Sequence, residues 1–338
     1  MRHPTGLLLL VAAPGFATEL ALAQTPGIPV EEWTVPWEKS RPRDPYVAPD
    51  GRIWFVGQAG NYVARFDPTT TKFEQFAIDP GTHPHTVIVD RAGNGWYAGN
   101  RNAMIGKIDG KTGAITRFPM PDSAARDPHT MVFDGAGDIW FTVQGGNFVG
   151  KLAVRSGKID LVKVTTPNAR PYGILIDRTG RPWFDLFGTN KIGTIDPNTM
   201  ALREYDLPNP RSRPRRIALT SNGMVWYGDY VGGTLGRLDP NTGAIKEWPA
   251  PSGRSSLPYA MTTDDFDRIW MVETGVQPNK LVAFDPKTEQ FVANVAIPGG
   301  AGTIRHMVFD PKTGQIWFGT DNNTIGKAGV GKAAKPTA

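Results

Sequence analysis

Seven residues able to do chemistry recur at nearly even intervals along this 338-residue chain: Arg43, His85, His129, Tyr172, Arg215, Tyr259 and Arg305. Each opens a short apolar run, and each is cationic, imidazole or phenolic. Guanidinium groups fork onto carboxylate and carbonyl oxygens. Imidazoles move protons near neutral pH, and phenols do so only when a cation lowers their pKa. A second set closes the following run: Gly57, Gly99, Val143, Leu186, Asp229, Glu273 and Thr320. Pairing the two sets within each unit sets Arg215 against Asp229 and Tyr259 against Glu273. Three arginines and two histidines then face two carboxylates. That excess points to a small polar or anionic ligand, or a peptide, held by Arg43, Tyr172, Arg215, Asp229 and Arg305. The competing reading has these groups bonding one another around a wet channel.

Other chemistry is weaker or excluded. His83-Pro84-His85 spaces two imidazoles so that, on extended chain, they share a side; with His129 they would make a three-histidine metal site. The proline and the loop position favour exposed or capping histidines instead. The chain has no Cys, which removes thiolate catalysis and thiolate metal sites. It has no Gly-x-Ser-x-Gly elbow and no paired histidines on a helical pattern. Its Gly-rich stretches, such as Gln144-Gly145-Gly146-Asn147, lack the strand-to-helix setting of a phosphate loop. The net charge of +5 comes from 37 basic against 32 acidic residues, so nothing demands nucleic acid. The densest basic cluster is Arg211-Ser212-Arg213-Pro214-Arg215-Arg216.

The elements that position these residues are set by tryptophan. Trp54, Trp96, Trp140, Trp183, Trp226, Trp270 and Trp317 stand at intervals of 42, 44, 43, 43, 44 and 47. Each unit reads as four strands: an apolar run (Thr86–Val89), an Asp-x-x-Gly turn (Asp90–Gly93), a Trp-aromatic strand (Trp96-Tyr97), an Ile-Gly-x-Ile-Asp strand (Ile105–Asp109), and a strand ending in aromatic-Pro-x-Pro (Phe118–Pro121). Proline cannot donate a ladder bond, so the last strand belongs at an edge. A period of this length with three hairpin turns per unit predicts an all-β fold, a seven-bladed β-propeller of four-stranded antiparallel blades. A parallel β-helix has shorter repeats, and a six-bladed ring would leave one tryptophan unit over.

The last unit ends after its third strand, at Thr324–Lys327. The missing strand lies at the other end, where Glu31–Pro36 matches the type of Lys246–Pro251. The N-terminal strand is therefore expected to complete the last blade and close the ring, removing exposed edges. Residues 1–23 read as an export signal: Arg2, an apolar stretch from Gly6 to Ala17, and Ala21-Leu22-Ala23 before Gln24. Residues 24–30 read as a linker, 31–330 as the propeller and 331–338 as a flexible tail. A periplasmic or secreted monomer without a membrane span is expected.

Pro171-Tyr172-Gly173-Ile174, Asn190-Lys191-Ile192-Gly193 and Asp239-Pro240-Asn241-Thr242-Gly243 resemble the repeats of the streptogramin B lyase (virginiamycin B lyase) family over about residues 31–328. The resemblance implies a seven-bladed propeller that opens the ester ring of a cyclic peptide by elimination. It implies a histidine base, magnesium held by glutamates, and a second histidine on the substrate. Carried over singly, the base position holds Tyr259 and the substrate-contacting position holds Arg215. The two metal positions hold Leu257 and Glu273. Only Glu273 is retained, so it alone would bind magnesium. Two functions follow: an exported propeller binding a polar or anionic ligand without the unchanged lyase mechanism, or a carbon–oxygen lyase using Glu273 with His85, His129 or Tyr259.

Overall fold

The computed structural model describes residue 25 and residues 27–332. The expected export signal and most of the expected tail lie outside the described residues. Seven four-stranded antiparallel sheets form a ring, a seven-bladed β-propeller. The innermost strands of blades 1 to 7 are Pro42–Val47, Val87–Val89, Pro128–Phe133, Pro171–Ile176, Pro214–Leu219, Pro258–Thr263 and Ile304–Asp310. Ring closure is as the sequence implies: Val30–Thr34 pairs antiparallel with Thr324–Gly329 as the outer strand of blade 7, with Trp33 opposite Ile325. Trp33 also stacks on Trp317 at 5.8 Å between ring centroids.

The repeat motifs have separate structural tasks. Each Trp of the second strand is buried between blades. In four blades its indole Nε1 donates to the Asp of the preceding turn: Trp96 to Asp90 at 3.1 Å, Trp140 to Asp134 at 3.3 Å, Trp183 to Asp177 at 2.8 Å and Trp270 to Asp264 at 2.7 Å. The same carboxylates cap the turn amides, so one Asp ties turn to core. Glycine in the third strand leaves room for the aromatic ring opposite; a Cβ at Gly150 would lie inside the Phe141 ring.

One irregularity matters for the site. In six blades the register of the innermost strand shifts just after its first residue, as between Pro128 and Met131 or between Pro258 and Met261. Such bulges re-aim side chains. Here they turn the residue after the proline toward the ring axis.

Candidate ligand site at the channel mouth

The opening residues of five blades meet at one end of the central channel and close it. Arg43, His85, His129, Tyr172 and Tyr259 are between 2% and 6% exposed. The His85 and His129 rings lie 3.3 Å apart between centroids, tilted by 36°, and His129 lies 4.0 Å from the Tyr172 ring. The Tyr172 and Tyr259 hydroxyls hydrogen-bond each other across the axis. Arg43 donates through a terminal nitrogen to Gln58 Oε1 at 2.8 Å. Arg215 covers this cluster. Its guanidinium sits 4.0 Å from the Tyr259 ring centre, 4.3 Å from Tyr230, 4.4 Å from Phe187 and 5.5 Å from Tyr172. Its Nε is buried without a partner, and among the described residues no carboxylate pairs with it.

A second polar layer lies one residue deeper. Arg216 donates to Thr130 Oγ1 at 3.0 Å, to Asp44 Oδ2 at 3.2 Å and to the Arg305 carbonyl at 3.1 Å. Thr86 donates to Asp44 at 2.7 Å. Asp185 accepts from the Gly173 amide at 3.0 Å through one oxygen, and its other oxygen has no partner. Only glycine fits at 173, because a Cβ there would stand 2.6 Å from the Asp185 carboxylate.

Burial and charge set the proton states. Burial opposes ionisation of Asp44, but Arg216 and Arg43 outweigh it and hold its carboxyl well below the usual carboxylate range. Burial, with Arg216 and Arg43 nearby, keeps His85 and His129 well below the ordinary imidazole value and pushes His306 down to about 4. Burial raises Asp185 well above its usual value. Burial would also raise Tyr172, yet Arg43, Arg216 and Arg215 together bring it below the ordinary phenol value. Burial and the neighbouring Tyr172 raise Tyr259.

A further ring, two residues before the openers, is invisible to a search for apolar runs. Arg41, His83, Asp127, Arg170 and Leu257 all adopt left-handed backbone, with φ of 51°, 52°, 71°, 52° and 43°. Non-glycine residues take up that conformation only at a cost of about 1–2 kcal/mol each. Its recurrence at a fixed offset marks it as the entry bend of the blade. Arg170 from this ring, with Arg213 in blade 5, adds positive charge to the mouth, whereas Arg41 pairs with Asp321 at 3.5 Å. Asp127, which accepts from Asn100, is pushed up to about 6 by burial. The Arg211–Arg216 cluster was the sequence signal for the arginines of blade 5. Asp44 and Asp185 had none of their own.

Several expectations need correction. Asp229 does not face Arg215: its Oδ1 accepts the backbone amides of Arg213 at 2.8 Å and Val231 at 3.2 Å. Glu273 does not face Tyr259: its carboxylate takes the Ser252 amide at 2.8 Å and the Ser252 hydroxyl at 2.6 Å. The reason is register. Asp229 and Glu273 stand opposite Pro214 and Pro258, one residue before the openers, and adjacent strand residues point to opposite faces. Arg305 also stays outside the cluster, paired with Asp321 at the rim. The next residue, His306, lies in the deeper layer beside Arg216 and Asp44. His85 and His129 are neither exposed nor part of a three-histidine site. Their Nδ1 atoms meet Thr86 and Thr130 at 3.1 and 3.0 Å. Among the described residues no three His, Asp or Glu side chains gather as a metal site. Magnesium prefers several oxygen ligands. Glu273 is a single carboxylate already satisfied by Ser252, and Leu257 offers no side-chain oxygen while its carbonyl is taken by Thr274, so these residues do not fit that ion.

Over residues 29–328 the sequence matches the model of the Virginiamycin B lyase family. The chain belongs to that family. Among solved structures it is similar to a streptogramin B lyase, with 27% identity and a TM-score of 0.80 over 89% of this chain and 97% of that one. It is also similar to virginiamycin B lyase from Staphylococcus aureus, with 23% identity and a TM-score of 0.81 over 90% and 99% of the two chains. A catalytically inactive histidine-to-alanine variant of that enzyme has been solved with quinupristin. The extracellular domain of a hybrid two-component system from B. thetaiotaomicron shares the fold at 18% identity and a TM-score of 0.66, over 87% of this chain and 41% of that one. Comparison with curated proteins gives no match. Among the described residues no helix is long and apolar enough to cross a membrane.

Proposed function

We propose that this chain is an exported member of the family that recognises a carboxylate or similarly anionic group at the cationic, aromatic mouth of its channel. The observation that carries this reading is Arg215. A guanidinium ringed by aromatic faces and unpaired with any carboxylate keeps its in-plane N–H groups for an incoming oxyanion. Arg170 and Arg213 around it steer anions to the same place. Export rests on the N-terminal sequence and on the extracellular setting of propellers of this fold. N-terminal sequencing of protein from the periplasm tests it, with Gln24 as the expected first residue. Isothermal titration with succinate tests the binding. Saturable binding lost at least tenfold in Arg215→Ala supports the reading; equal binding in both proteins, or none in either, refutes it.

A second reading is favoured by the Tyr172–Tyr259 contact. Three arginines bias Tyr172 toward phenolate, and Tyr259 can donate to that oxygen. Such a phenolate could act as the base of a carbon–oxygen lyase. The Tyr172 oxygen would take the proton from the carbon beside a carbonyl, that C–H electron pair would become the new C=C bond, and the β C–O bond would break with its electrons leaving on the ester oxygen. Arg215 lies over the pair and would have to swing aside. Incubation with quinupristin, followed by mass and by absorbance of the new double bond, distinguishes the readings. Ring opening abolished in Tyr172→Phe supports the lyase, whereas an intact ring with wild-type protein rejects it for this substrate.

A further inference from the structure

The packed mouth divides the axial channel, and the half beneath it has a different chemistry. That half is a cavity of about 370 Å³ bounded by all seven innermost strands. Its walls are apolar and come from the outer ends of those strands, among them Tyr46, Val132, Phe133, Leu175 and Val308. These side chains are only partly buried: each packs against a blade core on one side and lines the cavity on the other. Its inner end is polar: Thr86, Thr130, Arg216 and His306. A broader vestibule of about 690 Å³ on the turn face shares Tyr46, Phe133 and Val308 with it.

We propose that this blind half-channel is a second binding site, for a small uncharged amphipathic molecule whose apolar body lies against the walls and whose single hydroxyl or amide head meets His306. It is separate from the anion site and does not depend on it. The size falls in the range of small-molecule pockets, about 300–1,000 Å³. Apolar walls give water few partners, so an apolar body displaces little that is well held. The inner end selects against charge. Arg216 and Asp44 neutralise each other, and the Arg216 nitrogens are already engaged by Thr130, Asp44 and the Arg305 carbonyl. His306 remains, with a buried Nδ1 that has no partner. The His306 ring as a whole is partly exposed, and a neutral imidazole accepts at one ring nitrogen and donates at the other, so either a hydroxyl or an amide finds a partner on it.

The test uses the full chain and the uncharged fluorophore N-phenyl-1-naphthylamine, with 1-octanol as competitor. The expected result is a saturable rise in fluorescence that 1-octanol reverses. Val132→Trp, which fills the channel, should weaken the fluorophore at least tenfold and leave succinate binding at the other mouth unchanged. His306→Phe should weaken 1-octanol about threefold or more while the fluorophore still binds. Leu175→Phe, checked by its melting curve, takes the place of Val132→Trp if that variant does not fold. No saturable rise, or a rise unchanged by the channel-filling variants, overturns the proposal. Loss of succinate binding with the fluorophore site intact would fault only the anion site.

Discussion

At the scale of single residues, the mouth of the channel concentrates positive charge on groups with unequal freedom. Arg216 is held by three partners and Arg43 by Gln58 and Asp44, whereas Arg215 has aromatic faces and the Tyr172 hydroxyl but, among the described residues, no carboxylate. The first two therefore shape the site and the third is available to a ligand. Tyr172 reports the same field. Of the 8 tyrosines, it should ionise below the ordinary phenol value, and spectrophotometric titration of tyrosinate should show one early step. That step should vanish in Tyr172→Phe and move upward in Arg215→Ala. An unchanged titration in Tyr172→Phe would mean that the arginines do not act on this phenol. The identities of the openers were legible in the sequence because they break a strict repeat at a constant position. Their partners were not. Asp44 and Arg216 belong to blades far apart in the chain, and only ring closure brings them to 3.2 Å.

At the scale of elements, the blades were legible because each motif answers a local need. Tryptophan fills the space between blades, Asp-x-x-Gly makes the turn and pins the indole, and glycine makes room for an aromatic ring. The bulge after the first residue of the innermost strand left no such mark. Without it, alternation would place Glu273 beside Tyr259 and Asp229 beside Arg215; with it, both carboxylates become loop caps for Ser252 and Arg213. The closing strand is testable directly. Deleting residues 31–36 removes four of the five residue pairs with Thr324–Gly329 and the Trp33–Trp317 stack, and exposes an edge. A loss of several kcal/mol would lower the melting temperature by roughly 10 °C or more by calorimetry. A melting temperature within about 2 °C of wild type would contradict closure by this strand.

At the scale of the whole molecule, the buried titratable groups couple stability to pH. His85, His129 and His306 are neutral in the fold and protonate on unfolding, so the unfolded chain binds more protons as pH falls below 6.5. Asp185 and Asp127 act in the opposite sense, because their folded values are raised and they keep protons that the unfolded chain has lost. Burial lowers His83 as well, so the imidazoles outnumber the two carboxyls and stability falls as the pH drops below 6.5. At lower pH, Asp44 adds a further loss as the unfolded chain protonates its carboxyl near 3.8. Urea unfolding at stepped pH should show this slope, and His129→Gln should flatten it. Stability that is level from pH 7 to 4 in the wild type would contradict neutral burial of the three imidazoles.

Arg215 as the free anion receptor is tested most directly by comparing succinate affinity in the wild type, Arg215→Ala and Arg305→Ala by isothermal titration. Arg305 is the rim arginine already paired with Asp321, so its loss should change affinity less than about threefold. Loss of Arg215 should weaken binding at least tenfold, the equivalent of about 1.4 kcal/mol. Equal losses in both variants, or a larger loss in Arg305→Ala, would contradict it.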